Sequence, residues 1–557
     1  MIHSLRFRNV LLVLVVAVLT FINTRVFFHT GFPYTHDGEN HLARFANYKI
    51  AIREGQFPPR FAPNLMNHYG YPVFNYNYPL ANILSLPFSF LKINYEITFR
   101  ILVAAFLIFG FWGVNKWLES LGFKHKSKLF GISVFTLSPY LLSTIVFRGN
   151  IGEIMAMMLL PYLFYLVEQI KNNKLKIKSL GFLMAILLTS MFMLSHNVTV
   201  LFGISLLFLY AAIRFAKNIN FWKIFLLFNF YSLGLTLWFW LPAIIEKNQI
   251  ILDDASLSKG FADHFPTLRQ LIFSPLEFGF SQLGSIDSFG YSLGFLQLII
   301  LLLSPILMIK LINKKRFKKN YLYFTFYFLI FFLTLFQLKF TQAIWLKLPL
   351  VNFIQFPWRL SLLITVLIAP LAAFIFKITN NKLRFCLLLI ALIQANYFVK
   401  IRAVDYFHKN NIDYDAFSQS STTANENLPK NFKYKQIDWQ PGPKIISGEG
   451  EVNVEYWKGS DRKYQLSLNK ESIIVEPTMY YLGWETYTKN NDQNKIKVNY
   501  LDNDEIQGRI AYFLPAGSYE IRSKFTQNTW ARIAGNSISI FSFLGIVVYY
   551  LYGKTRT

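Results

Sequence analysis

The residues best suited to chemistry follow the first apolar run, in Tyr34-Thr35-His36-Asp37-Gly38-Glu39-Asn40-His41. Asp37 and Glu39 form an acidic Asp-x-Glu pair flanked by His36 and His41, and such a pair has two chemical uses. A carboxylate at a low-dielectric boundary can accept the proton of an attacking hydroxyl as a general base. Alternatively, Asp37 and Glu39 supply hard oxygens to a divalent cation such as magnesium or manganese, with His36 or His41 joining. The competing use is structural: Asp37 caps the amphipathic helix that runs on to Arg53, and Glu39 favours its dipole. If the helix starts at Asp37, Asp37 and His41 share a face at spacing i, i+4.

Other polar residues keep this group company. The run Asn67-His68-Tyr69-Gly70-Tyr71-Pro72 through Tyr76-Asn77-Tyr78 mixes aromatics and amides, which suits stacking on sugar faces and equally an interfacial aromatic belt. Arg148, Asn150 and Glu153 stand in one tight link, His196 and Asn197 in another, and Trp358 and Arg359 in a third. Charges at membrane depth are costly and commonly functional. Arg148 and Arg359 match phosphate oxygens bidentately; snorkelling to lipid headgroups is the alternative for each.

The elements that must position these residues are membrane helices. A chain of 557 residues that is 54% hydrophobic and 15% charged lacks the polar surface to cover a soluble globule of that size. Its net charge of +26 lies in short clusters between apolar runs, which argues against nucleic acid. The one cysteine, Cys386, sits in an apolar run, so thiol chemistry is not indicated. The first apolar run is expected to span the membrane rather than act as a cleaved signal, and about twelve runs of spanning length occur in all. Leu129–Phe147 and Leu180–Leu194 are among them, whereas residues 30–94 read as one outer loop. Basic clusters at Lys116–Lys128, Lys171–Lys178, Arg214–Lys223, Lys314–Lys319, Lys377–Arg384 and the tail fall in every second loop. The positive-inside rule then puts both termini in the cytoplasm and every candidate site residue outside the cell membrane. Between Ile401 and Trp530 the pattern turns to period-two alternation, as in Gly450–Tyr456 and Tyr464–Leu468. Turn signals at 458–461, 490–492, 502–504 and 515–517 predict a small antiparallel β-sandwich there, a passive or substrate-gripping part without catalysis.

At these residues the chain resembles a known group. Thr35–His41, Arg148–Glu153, Leu194–Asn197 and Gln355–Arg359 are similar to the bacterial membrane proteins labelled 6-pyruvoyl-tetrahydropterin-synthase-related, which look like GT-C fold membrane glycosyltransferases. Tyr481–Trp484 with Pro515–Gly517 resembles the outer β-domain of the related YfhO-like proteins. The resemblance implies a GT-C-like membrane part over residues 1–400, an outer β-rich domain over 401–531 and a final helix with its tail over 532–557. It further implies a sugar carried on polyprenyl phosphate as donor and an envelope glycan, lipid or protein as acceptor. Asp37 would be the base, Glu39 the second acid, His196 a site residue, and Arg148 or Arg359 the phosphate binder. No Walker loop or dinucleotide fingerprint is present, and none is needed. Two other classes fit a polytopic chain. A lipid or polysaccharide transporter or flippase should show mid-bilayer charges or broken helices in repeated halves. A non-catalytic envelope assembly factor should tolerate Asp37→Asn.

Overall fold

The computed structural model describes residues 2–171, 175–177, 179–252, 260–282, 287–313, 317–348, 354–433, 439–488, 495–496 and 506–554. The basic stretches 171–178 and 314–319, the end of the tail, and the turn signals at 490–492 and 502–504 lie wholly or partly outside them.

Among the described residues, 9 helices are long and apolar enough to cross a membrane, or up to 11 if each of two bent pairs is one span. Leu180–Leu194, expected to span, folds as a shorter apolar helix of 14 residues, Leu180–Met193. A further apolar helix, Leu80–Phe90, rises inside the stretch read from sequence as a continuous outer loop. Two helices make the centre of the bundle: nearly all residues of Ile151–Lys171 and most of those of Pro357–Ile378 are buried. Helix Tyr95–Ser120 closes on the first of them through two small residues. A Cβ at Gly110 would meet Met158 at 2.3 Å, and one at Gly113 would meet Tyr162 at 2.5 Å. Lipid offers no hydrophobic drive between helices, so such close approach supplies the packing that holds them.

The run Leu129–Phe147 is not one straight span. Pro139 lacks the amide a helix interior needs and disfavours the α conformation at Ser138, so His125–Thr136 and Pro139–Arg148 meet at 47°. The break frees carbonyls in apolar surroundings. Gln297 Nε2 donates to Val134 O at 2.8 Å and Leu137 O at 2.9 Å, and Gln394 Nε2 also reaches Leu137 O. The second half of this broken helix ends in the residues of the site.

The predicted β-domain is present. Strands β1 (Phe32–Pro33) and β2 (Tyr406–Phe407) form a small ribbon that ties the first outer segment to the chain just beyond Lys400. Strands β4 (Gly450–Trp457), β5 (Asp461–Leu468), β7 (Trp484–Thr488), β8 (Lys495–Ile496) and β10 (Gly517–Phe525) make one antiparallel sheet in the order β4-β5-β10-β7-β8. Strands β3 (Lys444–Ser447), β6 (Ser472–Met479) and β9 (Arg509–Leu514) make the second, in the order β3-β6-β9. The alternation read in Tyr464–Leu468 is literal: Tyr464, Leu466 and Leu468 are buried while Gln465 and Ser467 are exposed.

A buried ion cluster holds this domain to the membrane part. Arg532, 0% exposed at the start of the last helix, donates to Glu246 Oε2 through Nη2 at 2.9 Å and Nε at 3.2 Å. Asn75 of the first outer segment and Tyr481 of the β-domain donate to the same oxygen at 2.9 and 3.1 Å. Thr529 donates to Oε1 at 2.6 Å. Removing one member of such a buried pair strands the other as an uncompensated charge, so the cluster fixes how the domain sits.

Candidate active site

The site is built where the first outer segment lies against the turn at Arg148. Helix Pro139–Ser143 runs into a widened π-turn, Thr144–Arg148, which Gly149 ends in the left-handed conformation at φ +60°. The turn exposes its carbonyls, and the acidic segment pairs with them: His36 N donates to Phe147 O at 2.9 Å and Asp37 N to Arg148 O at 2.8 Å. A Cβ at Gly149 would stand 2.4 Å from Thr35 Oγ1 and 3.0 Å from Gly38 N, so the approach requires glycine.

Asp37 occupies the N-cap position of helix Gly38–Arg53, as a capping role would have it, but its side chain makes no cap hydrogen bond. It turns instead to Asn150, whose Nδ2 donates to Asp37 Oδ2 at 3.1 Å. Asn150 is held in turn, accepting from Tyr78 OH at 3.1 Å and Glu153 N at 3.0 Å. The half-buried Asp37 carboxylate therefore keeps Oδ1 without a hydrogen bond to any described residue.

Behind it lies a dry ion pair. Arg148, 4% exposed, donates through Nη2 to Glu153 Oε2 at 2.6 Å, and Glu153 is 0% exposed. Tyr140 donates to the other oxygen of Glu153 and accepts from Arg148 Nη1 at 3.3 Å. The Arg148 guanidinium also lies 4.9 Å from the Trp358 ring centre. Its charge is spent inside the protein. Arg359 differs: Nη1 reaches Gln355 Oε1 at 3.2 Å, and its Nε has no partner among the described residues. Among the described residues it makes no salt bridge, while the charges of Glu153, Arg148 and Asp37 all act on it. Trp358 Nε1 is likewise buried without a partner among the described residues.

The histidines divide. His36 stacks on Phe280 at 4.5 Å and meets the edge of Phe278 at 4.7 Å. Burial lowers its pKa to about 4, against the opposing pull of the Asp37 carboxylate, so it is neutral at neutral pH. His41 lies buried beneath the first helical turn between Tyr78 and Phe99. His196 caps helix Asn197–Phe215, accepting from Thr199 N at 3.3 Å, with its ring 4.9 Å from Tyr78. His68 is elsewhere, packed at 4.9 Å against Trp439 of the outer domain. Asn197 is occupied with the Tyr76 carbonyl at 2.8 Å. Glu39 points away into a salt bridge with Lys409. Sequence reasoning missed Tyr140, Phe278, Phe280 and Lys409; only Tyr140 carried a signal, a tyrosine directly after a helix-breaking Ser-Pro.

The donor set does not suit a resident cation. Glu39 is neutralised by Lys409, and among the described residues no group of three His, Cys, Asp or Glu gathers to ligate one. A cavity of about 130 Å³ lined by Asn248, Gln249, Lys430 and Tyr481 lies beside the Glu246 cluster, not at Asp37.

No protein-family model matches the chain. A protein of Lactococcus lactis subsp. cremoris (strain MG1363), described as uncharacterized, is 24% identical over 211 residues, 37% of this chain and 34% of that protein. The mycobacterial arabinofuranosyltransferase AftD superposes with a TM-score of 0.43 at 14% identity, over 71% of this chain and 26% of its own. A mutant form of AftD gives 0.42 at 14% identity, over 72% and 28%. The chain thus covers about a third of the curated relative and about a quarter of the solved structures.

Proposed function

We propose that this polytopic membrane protein is a GT-C-type glycosyltransferase that moves a sugar from a polyprenyl-phosphate donor to an extracytoplasmic glycan, lipid or protein acceptor. The observation that carries this reading is a half-buried carboxylate, Asp37, that keeps one oxygen without a hydrogen bond among the described residues and whose charge acts on Arg359, a cation that makes no salt bridge among them. Asp37 Oδ1 takes the proton of the acceptor hydroxyl as its oxygen attacks the anomeric carbon. The bond from that carbon to the phosphate oxygen breaks, the electron pair leaves with the lipid phosphate, and Arg359 stabilises the charge that develops there. Attack opposite the leaving group inverts the anomeric centre. Asn150, itself held by Tyr78, aims the base, and the Arg148–Glu153–Tyr140 group gives the turn its shape.

In this reading residues 1–400 carry the chemistry, 401–531 are a passive or substrate-gripping part, and 532–557 anchor the chain, with both termini cytoplasmic. The resemblance in Thr35–His41 and Gln355–Arg359 supports the same assignment.

The test is transfer of labelled sugar from polyprenyl-phosphate donors by membranes holding wild type or Arg359→Gln at matched levels. Wild-type transfer with an inverted anomeric product, slowed in the variant, is expected. Absence of wild-type transfer from every lipid-linked donor would sink the enzyme reading.

A further inference from the structure

A second cationic feature stands at the same end of the bundle as Asp37 and takes no part in that site. The first helix, Ile2–Thr24, packs against both Tyr95–Ser120 and Asn381–Lys400. Three guanidinium groups gather where these three helices meet the ribbon β1–β2. Arg25 donates through Nε to Val399 O at 3.1 Å, through Nη1 to Ile22 O at 2.5 Å and through Nη2 to Ile401 O. Arg100 reaches Gly31 O at 2.5 Å and Glu96 Oε2 at 3.6 Å, with its Nε buried and without a partner among the described residues. Arg402 directly follows the carbonyl that Arg25 holds, and Tyr406, which feels Arg25, Arg402 and Arg100 together, stacks on His29 at 3.8 Å.

The ordinary explanation for Arg25 is sufficient for Arg25 alone: it satisfies the last carbonyls of two helices. It does not cover Lys400 and Arg402, which are exposed and, among the described residues, have neither a salt bridge nor a hydrogen bond from their side chains. Of the four cations Arg100 is paired with Glu96, while among the described residues Arg25, Lys400 and Arg402 make no salt bridge. Beside the cluster the helices present exposed apolar side chains, Phe21, Phe28, Ile101 and Tyr397, as a lipid-facing surface does. Cations collected at a helix end directly above an apolar wall match a molecule with an anionic phosphate head and a hydrocarbon tail.

We propose that Arg25, Arg100, Lys400 and Arg402 form a binding site for the phosphate headgroup of an anionic membrane lipid, its tail lying along Phe21 and Tyr397. The site is independent of the proposed transferase reaction and stands or falls separately from it. The lipid is either a bilayer phospholipid or an isoprenoid phosphate, which present the same headgroup chemistry.

Native mass spectrometry of the full chain, delipidated in detergent, decides the matter. It is supplied in turn with phosphatidylglycerol, phosphatidylcholine, undecaprenyl phosphate and inorganic phosphate. An anionic lipid should be retained over phosphatidylcholine, and Lys400→Ser/Arg402→Ser should weaken that retention about twenty-fivefold, since each surface cation contributes roughly a fivefold preference. Preference for undecaprenyl phosphate over phosphatidylglycerol would assign the isoprenoid; equal retention would assign a general phospholipid site. Equal retention of phosphatidylcholine, unchanged retention by the double variant, or displacement of bound lipid by inorganic phosphate would each overturn the proposal. Both substituted side chains are exposed, so an unchanged melting curve is expected and separates lost binding from lost fold.

Discussion

Arg148→Met and Glu153→Gln, made singly and together, test whether the ion pair behind Asp37 is what holds the turn. The wild-type pair is almost fully dry, with Arg148 4% and Glu153 0% exposed, and its charged contact is 2.6 Å long. Either single change leaves the other charge buried without its partner, for which the expected cost is about 3–5 kcal/mol. The double variant strands neither charge, and Tyr140 keeps an acceptor in the Gln side chain. Its loss should therefore fall short of the sum of the singles by roughly 3 kcal/mol, far above the ~0.5 kcal/mol scatter of independent sites. Equilibrium unfolding in mixed lipid–detergent micelles, followed by near-ultraviolet circular dichroism, measures all four corners of the cycle. Additive losses within that scatter would refute the pair as a coupled unit and with it the explanation for the shape of the turn.

Two further outcomes follow from the same geometry. Gly149→Ala should destabilise by about 1–3 kcal/mol through backbone strain at φ +60° and collision with Thr35, and Thr35→Ala should restore part of that loss; an unchanged unfolding curve would contradict the close approach. His36 has a folded pKa of about 4, below its ordinary 6.5, so between those values the unfolded chain binds more protons and stability falls as pH drops from about 6.5 towards 4. The full span is worth roughly 3 kcal/mol, and a pH titration of unfolding should show a shallower acid loss in His36→Phe than in wild type; identical slopes would count against burial of His36.

Much of the architecture was legible because bilayer and sheet each impose a simple period. Apolar runs of spanning length marked most helices, and alternation in Gly450–Tyr456 and Tyr464–Leu468 marked β4 and β5. The failures have physical causes. Leu129–Phe147 reads as one run because hydropathy does not register the missing amide of Pro139, and that break is what delivers Tyr140 and Arg148 to the site. Asp37 sits where a cap should, yet its partner is Asn150, 113 positions away. Glu39 looked like the companion of Asp37 by adjacency, whereas its charge is taken by Lys409 across 370 positions. Arg148 and Arg359 looked equivalent as phosphate binders; only the fold shows one spent on Glu153 and the other without a salt bridge among the described residues.

The central claim is that Asp37 removes the acceptor proton. The measurement is the single-turnover rate of sugar transfer by purified wild type and Asp37→Asn in lipid nanodiscs, with and without chelator. Asparagine keeps the shape and a hydrogen bond to Asn150 but cannot accept the proton, so the rate should fall on the order of 10²–10⁴-fold. The wild-type rate should be indifferent to chelator, as the donor set around Asp37 and Glu39 predicts. Transfer by Asp37→Asn within a few-fold of wild type would remove Asp37 from the mechanism and contradict the site as assigned.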